Sequence, residues 1–280
     1  MLLVYTMPSD SPFSEAPDCY TSSMGTSLGH ALYYPEPHNT GAVQIGDVGY
    51  ISGGAFVRLL NLDVSAIEHA VTSWTPPFEI TDPLPSTVFR DRATSRLPPG
   101  SYEGTRRDSN GVQNQGALEL PAGADGQMIL ENSVLKEYIT RNHGHWYAYA
   151  RDTLGLRVEQ KQLIVVSGWF KTSGNAWSIR TQSSLHATTG GAWAIRSRPS
   201  SSTSITGLTV QREGLGEDHA EGVDCVFLSY YQVEMLRGRV YKVVAVGGLK
   251  SELEYSPQLQ LLATGKNDPL AEISKFISSR

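Results

Sequence analysis

The residues with most capacity for chemistry are two histidines one residue apart, His143 and His145 in RNHGHWYAYA. Imidazoles ligate transition metals, but a stable site needs a third or fourth ligand. His30, His38, His186 and His219 could supply one only by tertiary contact. On a helix, residues two apart are rotated by about 200°, so both rings reach one ion only where Gly144 distorts the backbone. The expectation is a pair of helix-end histidines beside aromatics, with no metal and no cofactor. A second stretch is GWFKTSGNAW, residues 168 to 177. Its Lys171-Thr172 lacks the directly preceding glycine of a P-loop, and Ser173-Gly174-Asn175 suits a turn between two strands. Lys171 and Trp169 stay as side chains that could face a ligand at a strand end. With Trp177 they complete the candidate ligand-binding set: His143, His145, Trp169, Lys171 and Trp177.

Other patterns point away from catalysis, and no catalytic residue is assigned. QIGDVGYISGGAFVRLLN, residues 44–61, holds four glycines. A dinucleotide loop needs Gly-x-Gly-x-x-Gly between a strand and a helix. Here AFVRLLN reads as a second strand, so the stretch is expected to bend a hairpin and not to cradle an anion. No Gly-x-Ser-x-Gly elbow occurs, and Cys225 lies in CVFLSYY, a core-like run, so Asp218-His219 beside it suggests no triad. Asp47, Glu103, Glu131, Glu252 and Glu254 read as solvated faces or caps. Arg106-Arg107-Asp108-Ser109 matches a basophilic kinase site, a short pattern common by chance.

Composition bounds the remaining classes. Of 280 residues, 40% are hydrophobic and 18% charged, which fits a globular chain able to bury a sizeable core. The net charge of −5 argues against nucleic acid as partner, which wants a basic face. No apolar run approaches the roughly 18 residues of a spanning helix, and MLLVYTMPSD has no basic n-region of a secretory signal. Two cysteines, Cys19 and Cys225, and no Asn-x-Ser/Thr sequon favour a reducing, cytoplasmic setting; no disulfide is expected between them. Residues 176–210, rich in Ser, Thr and Gly, alternate polar and apolar. Inserted β-hairpins and half-solvated sheets share that pattern; Arg180, Arg196, Arg198 and Pro199 are unhelpful for insertion, though Pro199 could sit at a tip, and a plain sheet is expected. Thirteen tyrosines and five tryptophans suit a sugar- or protein-binding face as well as an interior.

These side chains need elements to position them. Residues 1–27 read as a loose, flexible arm. Val43 to Tyr50 and Ala55 to Leu60 read as strands, and residues 72–126 as a long loop region with short strands near Phe78–Ile80 and Ala117–Leu120. The apolar spacing of Leu130, Val134, Leu135, Tyr138, Ile139, Trp146 and Tyr147 predicts a long helix over about 127–153, breakable at Gly144. Strands follow at 162–166, 176–181, 191–197, 204–211, 225–235 and 240–246. DPLAEISKFISSR closes with a short C-terminal helix capped by Asp268. The fold expected is α+β, mainly antiparallel sheet or sandwich, with residues 28–280 as one β-rich domain.

The runs GHALYYPEP, VQIGDVGYISGGAFVRLLN, LKEYITRNHGHWYAYA and LIVVSGWFKTSGNAW resemble a family of proteins from mushroom-forming (basidiomycete) fungi, over roughly residues 29–250. That family's signatures are Gly-Asp-Val-Gly, Arg-Leu-(Phe/Leu)-Asn and a Lys-Thr-(Ser) turn before tryptophan. A departure is Trp169, where the family pattern has cysteine. The resemblance implies a fungal, cytosolic, single-domain β-rich protein and adds no chemistry. The reading that follows is a non-enzymatic binding or interaction module with a protein or carbohydrate ligand, of use in fungal defence or recognition. A membrane-active β-hairpin protein is the first alternative. An enzyme with a pocket between the long helix and the sheet, built from His143, His145, Trp169 and Lys171, is the second.

Overall fold

The computed structural model describes residues 16–38, 40–63, 84–107, 112–130, 132–173, 177–185, 209–213, 223–236 and 239–247. Helix α1 is Ala16–Met24, followed by strands β1 (His30–Ala31), β2 (Asp47–Ser52) and β3 (Ala55–Asn61). A 3-10 turn, Ser86–Phe89, leads into β4 (Arg92–Leu97), β5 (Gly100–Arg107), β6 (Val112–Leu120) and β7 (Ala124–Ile129). Helix α2 (Ser133–Ala148) runs on as a π turn, Tyr149–Thr153. Beyond it come β8 (Ile164–Ser173), β9 (Ser178–Leu185), β10 (Thr209–Glu213), β11 (Val223–Leu236) and β12 (Arg239–Val246). The fold is α+β and mainly antiparallel sheet, as the alternating sequence patterns imply.

Two sheets share the strands. The larger has the order β1-β11-β8-β2-β3, with β12 beside β11, and β7 joining β8 to β4. The smaller has the order β10-β9-β6-β5. Strand β8 is the hub: its first residues pair with β2 and its later ones with β7, while β11 lies along its other side. Between the sheets lies a core of Tyr102, Leu118, Leu120, Phe170, Trp177, Ile179 and Phe227, sealed by Tyr20 and Met24 of α1. A second core packs Leu135, Tyr138, Ile139 and Trp146 of α2 against Val48, Leu60, Val165 and Tyr231. A third lies under Leu32, Val43 and Phe56, which cover Ile164, Val166, Cys225 and Leu228.

The glycine-rich stretch is a hairpin. Ser52 pairs with Ala55, and the two residues between, Gly53 and Gly54, have φ of 54° and 87°. Two successive positive φ values make the tight turn whose twist matches paired strands, and glycine adopts them without steric penalty.

Several expected boundaries are corrected. The arm expected over residues 1–27 is helical from Ala16 to Met24, and Tyr20 is completely buried. The loop region expected over 72–126 holds β4, β5, β6 and the start of β7. Its strands escape notice because small residues meet the helix: Gly104 and Gly116 face each other across β5 and β6, and a methyl on either would overlap Ser23 of α1. The long helix starts at Ser133, not near 127, because 124–129 is held between β4 and β8 and Asn132 caps the helix, accepting from the Val134 and Leu135 amides. Gly144 does not break it; its helix is continuous there, on the exposed side. The strand expected at 191–197, that near Phe78–Ile80 and the C-terminal helix lie outside the described residues.

Candidate functional site

Antiparallel partners in register project their side chains from the same face of a sheet. One row across the large sheet runs Arg96, Asp125, Lys171, Cys225 through β4, β7, β8 and β11. The next runs Thr94, Gln127, Trp169, Leu228, His30 and ends on β1. A bulge at Val226 keeps Cys225 and Leu228 on one face although they are three residues apart. At the β11 end both rows are covered by the third core, and Cys225 and Leu228 are buried. At the β4 end they lie open: the Arg96 and Asp125 side chains are 68% and 79% exposed. Trp169 and Lys171 sit at the seam, each half-buried.

The seam has a definite electrostatic character. The Lys171 ammonium stands 4.3 Å from the Trp169 ring centroid, where the ring's negative face attracts a cation. Burial pushes the Lys171 amine below its ordinary pKa, and the Arg58 charge adds to this, while Cys225 and Asp47 pull the other way. Cys225 opposite is no nucleophile: burial pushes its thiol up to about 12, and the thiolate is the reactive form. Around the seam the open face is polar, with the Gln127 amide accepting from Arg92 at 3.3 Å, the Thr94 hydroxyl and the Asp125 carboxylate.

Close enough to Lys171 to act on its charge lies an ion pair, Asp47 with Arg58. Asp47, expected on a solvated face or as a cap, is wholly buried. Its carboxylate accepts from Asn61 Nδ2 at 2.7 Å, the Gln44 amide at 2.7 Å and Arg58 Nη2 at 2.8 Å, with Arg58 Nε at 2.6 Å. Arg58 also donates to the carbonyls of Thr40, at 2.7 Å, and Ala42. Burial pushes the Asp47 carboxyl up, against the opposing pull of Arg58, Gln44 and Asn61. The result ties the 40–47 segment, which carries Val43 over the third core, to β3. Gly46 completes the tie: its amide donates to Val166 O at 2.9 Å, and its carbonyl accepts from Leu62 at 2.9 Å. That amide is bound within the sheet and offers nothing to a phosphate.

Of the five candidate residues, the fold brings together only Trp169 and Lys171. His143 is 1% exposed, its ring 6.4 Å from that of Trp146 and its Nδ1 3.5 Å from Gln160. Burial lowers its pKa. His145 faces solvent on the other side of α2, as the rotation of two helical residues requires. The four-residue pocket of the enzyme alternative is therefore not assembled. Trp177 is buried between the sheets and donates to Asp224 Oδ2 at 2.6 Å. Among the described residues no group of three His, Cys, Asp or Glu is placed to hold a metal ion, and no helix is long and apolar enough to cross a membrane. β9 lies within the small sheet with Ile179 buried; residues 186–208 of the alternating stretch lie outside the described residues.

Thr94, Arg96, Asp125 and Gln127 were missed. The signal was there in RATSRL and ADGQMI, whose polar residues recur every second position, but the inward residues Ala93, Ser95 and Gly126 are too small to mark a strand by hydrophobicity. No protein-family model matches the chain, and no curated protein matches it.

Proposed function

We propose that this chain is a non-enzymatic recognition module that binds a carbohydrate on the open face of β4, β7 and β8. The observation carrying the reading is the pair of rows that set Trp169 among the Thr94 hydroxyl, the Gln127 amide, the Asp125 carboxylate and the Arg96 guanidinium. Hydroxyl-rich ligands suit such a plane, because a half-buried aromatic supplies apolar contact while its neighbours exchange hydrogen bonds. A protein partner would want a larger apolar centre, and Trp169 is the sole aromatic in the two rows outside the covered end. Three further groups with catalytic capacity among the described residues have structural tasks: Asp47 holds Arg58, Asp224 holds Trp177, and Cys225 is a buried thiol. A cytoplasmic setting in a fungal cell, serving recognition or defence, belongs to the same proposal and draws on the resemblance of the signature runs.

A glycan array probed with the whole chain tests this. Saturable binding is expected, falling by roughly tenfold or more in Trp169→Ala, the loss typical of a central aromatic anchor. Gln127→Ala, on the exposed side of its strand, serves as the variant that spares the core and is expected to weaken the same glycans. Absence of any glycan binding, or binding indifferent to both substitutions, overturns the reading, as does a protein partner captured through another surface.

A further inference from the structure

The cations of the open face are not equally provided for. Arg92 has Asp63 at 4.0 Å, and Arg96 has Asp125 at 3.7 Å. Lys171 forms no ion pair among the described residues. Asp125 faces it across β7 and β8 but is shared with Arg96 and largely exposed. On the other side stands the buried Cys225 thiol, and behind it Asp47 is fully occupied by Arg58, Asn61 and Gln44. A half-buried ammonium is short of solvent, and the Trp169 ring is only a partial substitute for a counter-ion. Among the described residues no carboxylate serves Lys171 alone, and one anionic group would complete it.

We propose that the ligand is an acidic saccharide, its uronic-acid carboxylate paired with the Lys171 ammonium and its hydroxyls bonded to Gln127, Thr94 and Asp125. The inference rests on the carbohydrate reading above and adds the charge of the sugar. A carboxylate at Lys171 forms a charge-assisted hydrogen bond in a partly desolvated place, stronger than any bond a neutral hydroxyl makes there. One carboxylate satisfies the site. Asp125 and Asp47 disfavour a densely charged polyanion.

Calorimetric titration of the whole chain with an oligosaccharide containing glucuronic acid, and with the same oligosaccharide after carboxyl reduction, tests it. The acidic form is expected to bind about tenfold tighter, and more so at low salt. Lys171→Gln is expected to remove that preference, bringing the acidic form to the affinity that the same variant shows for the neutral one, and Lys171→Arg to keep the preference. The melting curve of each variant shows whether it is folded. Equal affinity of the two forms for the wild-type chain overturns the inference, and so does a preference that survives Lys171→Gln; the carbohydrate reading stands in both cases. Failure of both forms to bind, with no other glycan bound, overturns both.

Discussion

At the scale of single residues, the Asp47–Arg58 pair illustrates how a charged group becomes a structural one. Two charges leave water, so each is costly to strand without its partner. Here the carboxylate gathers Asn61, Gln44 and Arg58, and the guanidinium gathers two carbonyls besides. Asp47→Asn is expected to lower unfolding stability by about 3–5 kcal/mol in urea denaturation, since it leaves Arg58 buried without its charge partner. Replacing both by apolar residues, Asp47→Leu with Arg58→Met, is expected to recover much of that loss. A double variant as unstable as the sum of its parts would show that the hydrogen bonds to Thr40 and Ala42 matter more than the charge. Lysine cannot replace Arg58, because a point ammonium cannot span a carboxylate and two carbonyls at once. The sequence carries both halves of this pair in GDVG and RLLN, but not the fact that the hairpin folds one onto the other. Charge at Asp47 looks like surface until the strand pairing is known.

Strands and helices were legible to different degrees, and their differences have physical causes. The β2–β3 hairpin could be read because adjacent glycines separate two β-like runs. α2 could be read from its apolar stripe, yet its start could not, since Met128, Ile129 and Leu130 extend the helical spacing into a strand. β4 to β6 were hidden by small inward residues and polar outward ones. Strand β1 is two residues long, joined to β11 by His30 opposite Leu228 and Ala31 opposite Phe227. Burial lowers the pKa of His30 from 6.5 to about 4, with the Tyr230 ring 6.1 Å away. The folded chain therefore keeps the ring neutral where the unfolded chain protonates it. Its contribution is fully present above pH 6.5 and is lost as pH falls toward 4. Melting temperatures measured across that window are expected to fall less steeply in His30→Gln than in the wild type. Buried His143 and half-buried His38, lowered in the same direction, remain to give the variant a residual slope. Equal slopes would remove His30 from the account.

For the whole molecule, the limits of sequence reading lie in what the sheets bring together. Trp169 and Lys171 could be singled out because their types and turn context were visible within ten residues. Thr94, Arg96, Asp125 and Gln127 reach them only across three strands, and no local pattern encodes that register. Conversely His143 and His145 look like a pair in one dimension and separate in three, one into the core and one into water. Helix α1 is the further case, because its Tyr20 and Met24 join the core between the two sheets and its end rests in the Gly104–Gly116 notch. A recombinant chain begun at residue 28, where sequence alone suggests that an arm ends, would uncover Tyr102 and Leu118 in the cleft between the sheets. Such a chain is expected to accumulate as insoluble aggregate, or to bind a hydrophobic dye strongly if recovered, while one begun at the first residue stays in the supernatant. Equal soluble yield and dye signal for the two chains would mean the helix is dispensable. The notch thus makes the segment that looks most expendable for expression the one least safely trimmed.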